Sequence, residues 1–328
     1  MFPNIRQRII ILAGLAAAGL IYLNAAGPAT PADGAHGVLL LKAAQPSAAI
    51  GTFIALTIPV IIISAVVGSF TSPLAGVFCL AAALIFPAVR GGSIDSWIRG
   101  ISTGADFWAL AAECFVWMVL LAIAAPACVV TAVRIARRLP RSWVDPDAFP
   151  GVDPANTTAL ATTADKPGGF LGAALWGSAV AGGSMTVRTS DRLASVAATL
   201  LSAVIGSLLA SLLLRSPDAW QVVWSLFAAF ALGSLLATLL LSPRTAMGLM
   251  LSPLLAGAFW YAVVAVGGGS PQRLLAAYFS RTFWNPAMAL PIFYASAGTA
   301  GSLMGYAWAQ VFSFSDEVAE ETPAELRG

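Results

Sequence analysis

The chain has 328 residues, 59% of apolar type and only 10% Asp, Glu, Lys or Arg, against about 25% charged in ordinary soluble domains. So thin a polar skin excludes a water-soluble globule of this size, and with it a soluble enzyme or a disordered chain. The formal charge of +2 gathers into no basic stripe, so no nucleic-acid partner is expected. What remains is an all-α polytopic transmembrane helix bundle whose first partner is the lipid bilayer.

A hydrocarbon core of about 30 Å takes about 20 mostly apolar residues in helix. Eight such runs are predicted, at 9–26, 50–69, 73–89, 107–133, 193–214, 219–241, 245–266 and 286–312. The first follows Arg6 and Arg8, as a signal peptide would. Its Asn24-Ala25-Ala26 end is a poor cleavage site, and it is read as an uncleaved helix.

After the fourth run, residues 134–167 form a linker rich in proline and aspartate, a composition that favours hydrated, extended chain. The linker separates an N-terminal membrane half, 1–133, from a C-terminal half, 168–312, and residues 313–328 are an acidic tail. The C-terminal half opens with a short glycine-bracketed segment, 168–183, better suited to the interface than to a crossing. With eight spans, Lys and Arg divide eleven to six in favour of the side holding both termini. The positive-inside rule therefore places the termini in the cytoplasm and the chain in the cytoplasmic membrane.

The two halves carry matched landmarks. Ser72-Pro-Leu-Ala-Gly-Val-Phe in the third run parallels Ser252-Pro-Leu-Leu-Ala-Gly-Ala-Phe in the seventh. Each is followed by Gly-Gly-Ser (91–93 and 268–270), a loop, and then Phe107-Trp108 or Phe283-Trp284 at the next run. Three landmarks in one order point to an internal repeat of two related four-helix halves.

Small residues recur every fourth position in two runs. Ser195, Thr199, Ala203, Ser207 and Ser211 form one stripe, and Ala297, Gly301, Gly305 and Ala309 another. Such stripes let helix backbones approach closely in lipid, and both are expected to be packing seams.

Glu113 is the one charged residue well inside a run. In hydrocarbon a carboxyl must face the bundle or carry its proton, which makes Glu113 a candidate proton or solute-pathway group. Asp106 lies seven residues earlier near the same helical face, and Asn285 falls near the matching place in the second half. Both are added as candidates. Asn285-Pro286-Ala287 spells the aquaporin tripeptide, but the second copy is absent and that family is set aside.

Other chemistry is missing. The sole histidine, His36, lies in a loop, and Cys79, Cys114 and Cys128 lie in apolar stretches, so neither a metal site nor a disulfide framework is expected. No phosphate-binding glycine loop or nucleophile elbow occurs. No catalytic residue and no cofactor is assigned, and the chain is read as a non-enzyme. The leading expectation is a permease-like protein moving or binding a small solute or lipid between two membrane halves. The competing one is a non-catalytic scaffold or subunit of a membrane complex, holding a protein partner through the linker or tail.

Overall fold

A computed structural model describes residues 5–31, 37–92, 94–100, 103–140, 143, 189–243, 246–280 and 282–320, with the side chains of 96, 189–192 and 313–320 left out. His36, most of the linker, the 168–183 segment and the end of the tail lie outside the described residues. The described chain is helical, with one isolated bridge between Pro31 and Ala43. The helices are α1 (Ile5–Tyr22), α2 (Pro46–Phe70), α3 (Pro73–Ala83), α4 (Ile85–Gly91), α5 (Asp95–Arg99), α6 (Phe107–Ala136), α7 (Thr189–Leu213), α8 (Ala219–Leu241), α9 (Met247–Gly267) and α10 (Pro271–Phe279). A last helix, α11, begins at Pro291–Phe293, passes through a π-helical turn at Tyr294–Gly298 and continues as Thr299–Glu320.

Local chemistry sets several starts. Ser72 accepts the Ala75 N–H at 3.2 Å ahead of Pro73, and Asp218 accepts from Trp220 and Gln221 at 3.1 Å each. Thr103 and Asp106 form a capping box before α6. Each side chain satisfies helix-end donors that hydrocarbon would not.

Seven helical stretches are long and apolar enough to cross a membrane: Ile5–Ala25, Pro46–Phe70, Pro73–Gly91, Gly104–Ala136, Leu193–Leu213, Ala219–Leu241 and Met247–Gly267. Their outer faces are apolar as well. Phe115, Val119 and Ile123 along α6, and Leu200, Val204, Leu208 and Leu212 along α7, are each more than half exposed. Rows of this size at four-residue spacing call for lipid around them, not water. This is an integral membrane protein.

The predicted runs differ from the helices in two places. The third breaks at Leu84 into α3 and α4. The eighth does not begin as helix at 286, because Pro286 and Pro291 bracket a 3-10 turn at Asn285–Met288 and an extended Ala289-Leu290. Proline has no N–H to donate and biases the preceding residue away from helix, which delays α11.

Side-chain contacts fix the direction of each helix. Gly14 of α1 faces Val67 of α2, and Tyr22 bonds Thr57. Gly76 of α3 faces Gly68 of α2 and Cys128 of α6. Gly248 of α9 faces Thr199 of α7, and Gly257 faces Tyr294. The α1–α2, α4–α6, α7–α8 and α9–α11 connections therefore gather at one end of the bundle, here called the loop end. The start of α1, the end of α6 and the starts of α7 and α9 lie at the other.

Across the middle, α3 packs on α11 and α6 on α9. Phe107 and Phe283 meet there with ring centroids 6.0 Å apart, and the Arg99 guanidinium lies over the Phe279 ring. Gly92 (φ +90°) and Gly269 (φ +68°) make the matching turns.

The tightest seam joins α8 to α11. A Cβ added at Gly301 would run into the Phe227 carbonyl oxygen, and one at Gly305 into that of Ala231. Replacing Gly305 by Ala is expected to cost about 1–3 kcal/mol through overpacking. Gly51→Ala, where the added methyl meets nothing within 4 Å, should leave stability unchanged or raise it by about 0.5–1 kcal/mol. Thermal melts of the two solubilised variants beside the parent check the contrast.

Candidate functional site

Glu113 is fully buried, on the second turn of α6, about 9 Å along the axis from Phe107. Its partner comes from the connection between α1 and α2. Oε2 accepts the Leu41 N–H at 3.2 Å, with the Leu40 amide beside it. Oε1 accepts Trp117 Nε1–H at 3.3 Å from one turn further along α6. The four-residue spacing on one face makes the second bond possible.

The connection enters the bundle because its residues are apolar. Val38, Leu39 and Leu40 have no exposed surface. Leu39 N–H bonds Ala29 O at 3.0 Å and Ala44 N–H bonds Thr30 O at 3.3 Å, folding the chain back on itself. Gly37 and Val38 lie against Gly91 of α4, and Gly37 also touches Leu290, just ahead of α11. The loop is thus wedged between α4 and the stretch that leads into α11.

Asp106 holds the same loop one residue later. Lys42 Nζ lies 3.1 Å from Asp106 Oδ1, while Asp106 Oδ2 accepts the Thr103 N–H at 3.0 Å. Seven residues apart on one face, Asp106 and Glu113 therefore grip neighbouring loop residues, Lys42 and Leu41.

Asn285 is placed differently. Its Nδ2 donates to Ser211 O at 2.9 Å, at the end of α7, and no hydrogen bond joins it to Glu113. It opens the stretch 285–290, a 3-10 turn followed by extended Ala289-Leu290, which is buried from Pro286 on. The carbonyls of that stretch are met by tyrosines: Tyr294 Oη–H donates to Pro286 O at 2.6 Å and Tyr261 Oη–H donates to Ala289 O. These tyrosines stack edge to face, and Tyr261 packs on Phe107.

On the fifth predicted run, Ser195 and Thr199 face Gly248 of α9, and Thr199 and Ser211 donate back to Ser195 O and Ser207 O at 2.8 Å each. The α7–α8 contact uses neighbouring positions that the four-residue stripe omits: Gly206 against Phe230 and Gly233, and Ser202 against Ser234. Ser202 also reaches Ser252 at 3.0 Å, joining three helices through buried hydroxyls.

Among the described residues no group of three or more His, Cys, Asp or Glu gathers in a way that could hold a metal ion. Among the described residues the arrangement can exchange hydrogen-bond partners, or a proton, at a buried carboxyl. No family model, curated protein or solved structure matches the chain.

Removing the carboxyl orphans two buried donors, each costing about 1–3 kcal/mol. The half-exposed Lys42–Asp106 pair contributes about 0–1 kcal/mol, and the cap made by Asp106 about 1 kcal/mol. The expected order of destabilisation is therefore Glu113→Ala, then Asp106→Ala, then Lys42→Ala, read as apparent Tm in one detergent.

Proposed function

We propose that this chain is a permease-like membrane protein that moves or binds a small solute or a lipid between its two halves. One observation carries the reading. Two buried stretches outside α-helical geometry, Val38–Leu40 and Pro286–Leu290, enter the bundle from opposite halves and meet where Leu290 touches Gly37, beside the loop held by Glu113. Hydrocarbon tolerates irregular backbone only where protein buries it or water lines it. Membrane transporters place their sites at such breaks, between repeated halves.

The same reading makes α11 an eighth crossing and the halves products of duplication, related by an axis along the membrane normal. The shared order of helix, positive-φ glycine turn and short helix supports it. The sequence charge count then puts both termini in the cytoplasm. Glu113, Asp106 and Asn285 are the polar groups of the path. No catalytic role, cofactor or metal is proposed.

A second reading, a non-catalytic scaffold or complex subunit, is favoured by a different observation. Both Glu113 oxygens are already engaged by neutral N–H donors, as in a purely structural anchor. Reconstitution in proteoliposomes separates the two. A permease gives protein-dependent uptake of at least one member of a small solute and lipid panel, and Glu113→Gln reduces it by about tenfold or more. Absence of flux across the panel would leave the scaffold, and equal flux through both proteins would remove the role given to Glu113.

A further inference from the structure

We propose that the loop Gly37–Leu41 is a movable plug at the loop end of the bundle, latched by the Glu113 carboxylate and released when that carboxylate takes up a proton. The inference rests on the position of Glu113 and the loop, and it holds whether or not a solute crosses.

The loop has the features of a plug. It is apolar and fully buried at Val38, Leu39 and Leu40, and it is wedged between Gly91 of α4 and Leu290, just ahead of α11. Gly37 sits at φ +141°, a conformation that L side chains rarely adopt, where the chain turns into the bundle. The latch is the Leu41 N–H on Glu113 Oε2, next to the buried run Val38–Leu40. At the mouth the Lys42–Asp106 pair is partly in solvent, with side chains 40% and 20% exposed, and holds weakly.

Protonation acts on the Leu41 latch directly. A carboxylate offers only acceptors, which suits the Leu41 amide and the Trp117 indole together. Adding a proton turns one oxygen into a donor and weakens a charge-assisted bond. The titratable groups around Glu113 are Cys114 on its own helix, Tyr261 on α9 with Tyr294 of α11 beyond it, and Lys42 with Asp106 at the mouth. Tyr261 and Tyr294 already donate to backbone carbonyls, and Lys42 is paired with Asp106. Of these groups, the Glu113 carboxyl is the one that bonds the loop backbone inside the bundle.

The test is hydrogen–deuterium exchange of the full chain in lipid nanodiscs, corrected for intrinsic exchange, from mildly alkaline to mildly acidic pH. The Leu41 amide should lose protection by about tenfold or more on acidification. The Leu39 amide, bonded to Ala29 O within the loop, serves as the internal reference for local folding. In Glu113→Gln, which has the hydrogen-bonding character of the protonated acid, Leu41 should exchange fast at every pH. Leu40→Cys should react with a water-soluble thiol reagent faster in the Glu113→Gln background than alone. Leu41 protection that does not change with pH in the parent protein would overturn the proposal, even if Glu113→Gln fails to fold. Flux in the solute panel is a separate readout, so loss of the plug and loss of the permease reading are told apart.

Discussion

In a bilayer, a backbone N–H or C=O outside a helix must find its partner within the protein, because lipid offers none. The bundle leaves α-helical geometry at the buried stretches Val38–Leu40 and Pro286–Leu290, and side chains meet exposed backbone groups there. Glu113 accepts from Leu41 N–H, and Tyr294 and Tyr261 donate to the carbonyls of Pro286 and Ala289. Asn285, at the start of the second break, closes the end of α7. The polar groups that would define a pathway are thus the same groups that let the irregular backbone exist.

That arrangement needs helices close enough for short polar side chains to reach across. Glycine provides the approach at Gly301 and Gly305 against α8, and Gly206 and Gly233 provide it between α7 and α8. Trp97, Phe107, Tyr261 and Phe283 pack in contact near the loop end.

Much of the bundle was legible in the sequence, because 20 apolar residues in lipid have few alternatives to a helix. Seven of the predicted runs are helices of sufficient length and apolarity to cross. The delayed start of α11 had a visible cause in Pro286 and Pro291, yet the apolar run masks it, since hydropathy does not register a missing N–H. The short helices α5 and α10 carried too few residues to stand out. Glu113 was conspicuous as a lone charge, but its partner was not: a backbone amide 72 residues away has no side-chain signature. Small-residue periodicity marked a stripe on α7 without saying which neighbour it meets. Because α7 packs on both α8 and α9, Ser195 and Thr199 face α9, Gly206 faces α8 and Ser202 reaches both.

The central claim is that the first loop reaches into the bundle and is held there by the Glu113 carboxyl. Solid-state NMR of the protein in bilayers, with ¹⁵N at Leu41 and ¹³C at the Glu113 side-chain carboxyl carbon, tests it directly. A weak but measurable dipolar coupling between the two sites, as required by the 3.2 Å N···Oε2 bond, is the predicted result. No measurable coupling between the two sites at neutral pH would contradict the account.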